Sequence, residues 1–106
     1  MRADLSLYRV FVAVADEGSF VRAAARLFLT QPAVSQAVQR MEMQTGAKLF
    51  VRGRRGVRLT REGELLYRHA SAALAMLEAG EQQLARVQNL EAGTLRLGAA
   101  DTITKE

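Results

Sequence analysis

Cysteine is absent from these 106 residues, so neither a disulfide framework nor thiolate chemistry is available. That suits a reducing compartment, and the cytoplasm is the expected location. No apolar run approaches the length of a signal-peptide core or a membrane span, so no membrane partner is expected. Histidine occurs once, as His69, with no His, Cys or carboxylate cluster at ligand spacing around it. A packing or half-exposed position is expected for it, not a metal site or a general base. There is no nucleophile–base constellation and no glycine-rich phosphate loop ahead of a helix, so an enzyme is a poor reading and no cofactor is expected.

Acid is scarce where base is abundant. From Phe20 to Arg61 nine basic residues face one acid, Glu42, for a local charge of +8; residues 62–106 carry −3 and the first nineteen −1. The overall +4 therefore hides a localised surface suited to a polyanion. A generally solvated basic surface would spread its charge more evenly.

What is present is organised around Phe20–Gly46, which reads as a short helix, a tight turn and a second helix with two unlike faces. At about 3.6 residues per turn, Val34, Ala37, Val38, Met41 and Thr45 share one arc of that second helix. The opposite arc holds Pro32, Ser35, Gln36, Gln39, Arg40 and Met43. A solvated helix usually carries Glu/Lys pairs on its outer face; this one offers hydrogen-bonding groups with a single positive charge. The pattern predicts a helix-turn-helix whose second helix enters the DNA major groove. Thr30 is placed to cap it, with Gln31 and Pro32 in the first turn, where a missing N–H costs nothing.

Before this pair, Asp4 caps a scaffold helix from Leu5 to Glu17 whose stripe is Leu7, Val10, Phe11 and Val14; Gly18 ends it and Ser19 caps the next. In that second helix Ala23, Ala24 and Leu27 allow close packing, while Arg22 and Arg26 lie on its outer side. After Gly46, Leu49–Arg52 and Val57–Thr60 flank Gly53-Arg54-Arg55-Gly56, the pattern of a β-hairpin with two arginines at its tip. Such a wing suits a narrow, strongly negative minor groove. A solvated charged turn is the competing reading.

Thr60 opens a long helix expected to reach about Asn89, about 45 Å at about 1.5 Å per residue, more than so small a core can cover. Leu66, Ala70, Ala73, Leu77, Gly80, Leu84 and Val87 are spaced 4, 3, 4, 3, 4, 3, a coiled-coil seam. A seam without a partner in its own chain implies a second subunit. Glu91-Ala92-Gly93 is expected to break the helix, and Thr94–Gly98 to begin a strand that cannot form a sheet alone. The fold class is therefore mainly α: a winged helix-turn-helix of three helices and a two-stranded wing, followed by a long dimerisation helix.

The ordered motifs LYRVFVAVADEGSF (Leu7–Phe20), AAARLFLTQPAVSQAVQRMEMQTGAKLF (Ala23–Phe50) and VRGRRGVRLTREGE (Val51–Glu64) resemble the LysR-type transcriptional regulators, and GTLRLG (Gly93–Gly98) is similar to the first strand of that family's effector-binding domain. The resemblance covers nearly the whole chain. It implies a bacterial regulator with a DNA-binding domain at 1–59, a dimerising linker helix at 60–89, and at 90–106 a hinge and first strand of an effector-binding domain that is otherwise missing. The small-molecule effector would bind only through that missing domain, and a tetramer is expected only of the full-length protein. As it stands, the chain is expected to be a homodimer that grips double-stranded DNA at an interrupted inverted repeat.

Carried over residue by residue, Thr30, Gln31, Pro32, Ser35 and Gln36 match the family's DNA-contacting helix start. Arg55 matches the wing arginine of the minor groove, and Arg52 the preceding basic position. Gln39, Arg40 and Arg54 complete the expected DNA-facing set. Many relatives have Arg in place of Gln36; glutamine pairs bidentately with adenine, which predicts an A·T preference at the base it faces. Met41 stands where leucine is usual, a conservative core change. The runner-up function is a coiled-coil adaptor that only keeps the winged-helix shape; it explains the seam but neither the +8 middle nor the polar face.

Overall fold

The structure, a computed structural model, describes residues 4–97. Its elements run α1 (Leu5–Glu17), α2 (Phe20–Leu27), α3 (Gln31–Thr45), β1 (Phe50–Gly53), β2 (Gly56–Leu59) and α4 (Arg61–Leu97). The chain divides into two units, Met1–Ala72 and Ala73–Glu106.

In the first unit every helix start is set by a side-chain cap that satisfies an otherwise orphaned amide. The Asp4 carboxylate accepts from the Leu7 amide at 3.1 Å, Ser19 Oγ from Arg22 at 3.1 Å, Thr30 Oγ1 from Ala33 at 3.2 Å and Thr60 Oγ1 from Gly63 at 2.9 Å. Helices α1 and α3 end on left-handed glycines, Gly18 and Gly46. Helix α2 ends differently: Phe28 itself adopts φ 59°, ψ 40°. Its amide bonds to Ala25 and that of Leu29 to Ala24, the paired bonds of a Schellman motif, which make the tight turn into α3 without a glycine.

The three helices bury one face each. Leu7, Val10, Phe11 and Val14 of α1 meet Phe20, Ala23 and Ala24 of α2 and Val34, Val38 and Met41 of α3 in one core with Leu49 and Phe50. The wing is an antiparallel pair in register Phe50↔Leu59 to Gly53↔Gly56, leaving Arg54 and Arg55 as a two-residue tip. Neither arginine has a positive φ; that conformation falls on Gly56, at 113°. A Cβ on Gly56 would lie 2.6 Å from the Gly18 carbonyl oxygen, and that carbonyl accepts from the Val57 amide at 3.1 Å. The end of α1 thus docks the wing, and the dock tolerates no side chain.

The described part of the second unit is the helical stretch Ala73–Leu97 of α4. Here the structure departs from the sequence expectation. Glu91-Ala92-Gly93 does not break the helix at about Asn89, and Thr94–Leu97 are helical where a strand was expected. A glycine inside a helix costs only about 1 kcal/mol. A strand needs a partner, and among the described residues the sheet contains β1 and β2 alone. Gly98 and the tail DTITKE lie outside the described residues. No described helix is long and apolar enough to cross a membrane.

Candidate nucleic-acid interface

The amphipathic division of α3 is realised in three dimensions. Val34, Val38 and Met41 are buried, at 0%, 5% and 1% exposure. Pro32, Gln36, Gln39 and Arg40 are exposed and Ser35 is half-buried, so the outer face presents amides, a hydroxyl and one guanidinium. Gln31 is exposed at the helix start. Thr30 is exposed too; its hydroxyl oxygen accepts the capping bond that fixes the helix start, and its O–H stays free to donate. The first turn of α3 carries no acid, which leaves its positive dipole end unopposed. Met43, at 83% exposure, has no contact that explains it.

The wing sets charge beside this face. Arg52, Arg54 and Arg55 are all exposed. Among the described residues the ion pairs are those of Arg26 with Asp16 and Glu17 and of Lys48 with Glu42, so Arg40 and the four wing arginines, Arg58 of β2 included, carry none. A groove of about 440 Å³ between α3 and β1 is lined by Ser35 and Gln39 on the helix and by Lys48, Val51 and Arg52 on the strand side. In it the Arg52 guanidinium carbon lies 4.3 Å from the centre of the Phe20 ring. Glu42 also lines the groove, but its Oε2 accepts from the Leu49 amide at 2.8 Å and the Phe50 amide at 3.3 Å. The one acid of the basic stretch is thereby turned to backbone and ties α3 to the start of the wing.

Residues 5–64 match the family of bacterial regulatory helix-turn-helix proteins of the lysR type. The chain belongs to the LysR family. It is 41% identical over 99 residues to a probable RuBisCO transcriptional regulator of Cyanidioschyzon merolae, covering 93% of this chain and 33% of that protein. This LysR-family chain thus spans about a third of the length of the curated relatives it matches. Its fold resembles the BenM DNA-binding domain in a complex with catB site 1 DNA, with TM-score 0.73, 35% identity, and coverage of 80% of this chain and 96% of that one. It also resembles full-length CbnR complexed with its target DNA, with TM-score 0.67, 30% identity, and coverage of 77% and 29%.

Three features of this LysR-family domain escape a reading of its sequence. Glu42 and Arg52 are engaged as described, through partners that only folding brings near. The third is a polar cluster on the surface of the first unit. Asp16 accepts from the Tyr67 hydroxyl with one oxygen and from Arg26, at 3.1 Å, with the other. Arg26, one of the two outer-side arginines of α2, is thus occupied within the protein, while Arg22 is exposed and unpaired among the described residues. The bond to Asp16, with desolvation behind it, raises the Tyr67 hydroxyl above the usual phenol pKa.

The seam residues divide between the units. In the first, Leu66 is half-buried and Ala70 is buried at 6% exposure, so Ala70 is already covered within the single chain. In the second, Ala73 and Gly80 are exposed, as are Leu77, Leu84 and Val87 at 46%, 57% and 51%. His69 is exposed.

Proposed function

We propose that this chain binds double-stranded DNA sequence-specifically as a homodimer and forms the DNA-reading part of a bacterial transcriptional regulator. The observation that carries the reading is the polar face of α3, neutral but for Arg40, beside a wing whose arginines have no carboxylate partner among the described residues. Neutral amides and hydroxyls discriminate base edges, and free guanidinium groups grip phosphates or enter a minor groove. Gln31, Ser35, Gln36 and Gln39 supply readout, and Thr30 and Pro32 bring the helix start against the DNA. Arg40, Arg52 and Arg54 supply grip, and Arg55 enters the minor groove. The DNA complexes of BenM and CbnR, proteins of similar fold, support this use of the face.

Residues 1–59 read DNA, 60–89 dimerise, and 90–106 approach an effector-binding domain through which alone a small molecule would act. The exposed row Ala73, Leu77, Gly80, Leu84 and Val87 is the part of the seam left for a second copy. Two copies held by antiparallel linker helices would read an interrupted inverted repeat in the cytoplasm, without catalysis or cofactor. Tetramers belong to the full-length protein.

Duplexes selected from a random pool, labelled and titrated at several salt concentrations, test the reading. The logarithm of affinity should fall linearly with the logarithm of salt, with a slope of about −0.9 per phosphate contacted. Gln36→Ala should relax selection at one A·T position, and Arg55→Ala should weaken binding chiefly at A·T-rich minor-groove positions. Affinity indifferent to both sequence and salt would refute it. Sedimentation tests the dimer: among the described residues, nothing beyond the helix's own adjoining backbone lies within 4 Å of a Cβ placed on Gly80, which leaves room there for a partner helix. Gly80→Leu should then weaken association, and unchanged association would remove Gly80 from the seam.

A further inference from the structure

Arg52, Arg54 and Arg55 of the wing are held in two different ways. Arg54 and Arg55 stand on the two-residue tip. Arg52, on β1, has a seat: its guanidinium carbon lies 4.3 Å from the centroid of Phe20. The seat is anchored in the core. Phe20, 7% exposed, meets Phe50 edge-on at 6.3 Å, and Phe50 lies 5.4 Å from Phe11, which is 1% exposed. A guanidinium over an aromatic face is attracted through its cationic plane and uses none of its N–H donors in doing so. Those donors stay free for an anion. The groove beside it also carries the Ser35 hydroxyl, the Gln39 amide and the Lys48 ammonium, all of which can donate to a phosphate oxygen. Glu42, the acid in the same groove, gives its Oε2 to the Leu49 and Phe50 amides, while its Oε1 lies 3.7 Å from the Lys48 ammonium, which keeps N–H donors to spare.

We propose that Phe20 is a positioning residue for DNA binding: its ring holds the Arg52 guanidinium at the groove between α3 and β1, set to receive a backbone phosphate of the duplex. The proposal rests on the reading of this face as the DNA surface. Its physical content is preorganisation, since an arginine already in its binding conformer loses less freedom when the phosphate arrives. The stack is worth about a two- to fivefold preference at a partly exposed site, which bounds what it can add to affinity.

The test is a double-mutant cycle on the intact chain with a selected duplex, read by fluorescence anisotropy across a salt series. Phe20→Met, which keeps an apolar side chain without a ring, should weaken binding about two- to fivefold with the salt slope unchanged. Arg52→Ala should weaken binding and make the slope shallower by about one phosphate contact. In the double variant Phe20→Met should add nothing. Equal losses with and without Arg52 would reduce Phe20 to a core residue and overturn the proposal, as would no loss in a fully folded Phe20→Met protein. If Arg52→Ala alone leaves affinity and slope unchanged, it is the DNA reading of Arg52 that fails. A measurement on the unsubstituted chain guards against a variant that does not fold. The Arg52 side-chain Nε–H should show a higher NMR order parameter than those of Arg54 and Arg55; equal mobility of all three would overturn the seat.

Discussion

Replacing Glu42 by alanine removes the acceptor that joins the recognition helix to the wing. The side chain is only 15% exposed, and its Oε2 takes the Leu49 amide at 2.8 Å and the Phe50 amide at 3.3 Å. Leu49 is 1% exposed, so its amide has little access to water once the carboxylate is gone. A hydrogen bond to a charged acceptor contributes about 1.5–3 kcal/mol, and a buried donor left unpaired costs about 1–3 kcal/mol. Counting the shorter bond fully and the longer one in part gives a loss of about 2–4 kcal/mol. The better helix propensity of alanine offsets only a few tenths of a kcal/mol. The ion pair with Lys48, whose side chain is 82% exposed, contributes little. For a domain of this size the loss corresponds to a fall in Tm of about 10–20 °C. Glu42→Gln keeps one acceptor oxygen and should lose about half as much, whereas Lys48→Ala should lie within about 0.5 kcal/mol of the parent chain. Urea unfolding followed by circular dichroism, with Tm by calorimetry, reads all three. A Glu42→Ala chain as stable as the parent, or a Lys48→Ala chain equally damaged, would show that the backbone bonds are not what Glu42 contributes.

Other substitutions probe other parts of the frame. A Cβ on Gly63 would fall 2.2 Å from the Leu49 carbonyl oxygen, which also accepts from the Thr60 amide at 2.9 Å. Gly63→Ala should therefore destabilise by about 1–3 kcal/mol despite its helix propensity, measured by urea unfolding; a stabilised protein would disprove the clash. Phe28 is 95% exposed in a left-handed conformation that costs a residue with a side chain about 1–2 kcal/mol. After the entropy glycine returns to the unfolded chain, Phe28→Gly should raise stability by about 0.5–1 kcal/mol. Phe28→Ala, which keeps the strain, should not, and equal Tm values for the two would refute the backbone explanation. The raised Tyr67 pKa means that the folded state holds the phenol proton more tightly than the unfolded chain. That stability is complete below the ordinary phenol pKa near 10.0 and is lost as pH climbs through the higher folded value. Thermal melts between pH 8 and 11 should fall more steeply for the parent than for Tyr67→Phe, and parallel curves would contradict the assignment.

Most of the frame was legible in the residues because its signals are local. Asp4, Ser19, Thr30 and Thr60 each lie three positions before the amide they cap, Gly18 and Gly46 stop their helices, and the arc of Val34, Val38 and Met41 needs only helical periodicity. The polar face of α3 and the arginine pair between Gly53 and Gly56 were readable for the same reason, since a face or a tip is a property of one element. One local signal misled, and one turn carried no signal. Gly93 resembles a stop, yet a glycine is a modest penalty within a helix while an unpaired strand satisfies none of its backbone groups. Phe28 occupies a left-handed turn that composition would assign to glycine or asparagine.

What only the packed structure decided concerns partners distant along the chain. Asp16 and Tyr67 are 51 positions apart, and Gly18 meets Val57 through a backbone bond that leaves no trace in residue type. The position of Gly63 against Leu49 is likewise invisible until α4 docks. So is the difference between Arg52 seated on Phe20 and Arg54 and Arg55 on the tip. The residues specify which side chains are polar, charged or small, because that chemistry is written position by position. Which carboxylate is consumed by backbone, and which guanidinium is left to meet a ligand, follows from three-dimensional proximity, because hydrogen bonds and cation–π contacts act only over a few ångströms.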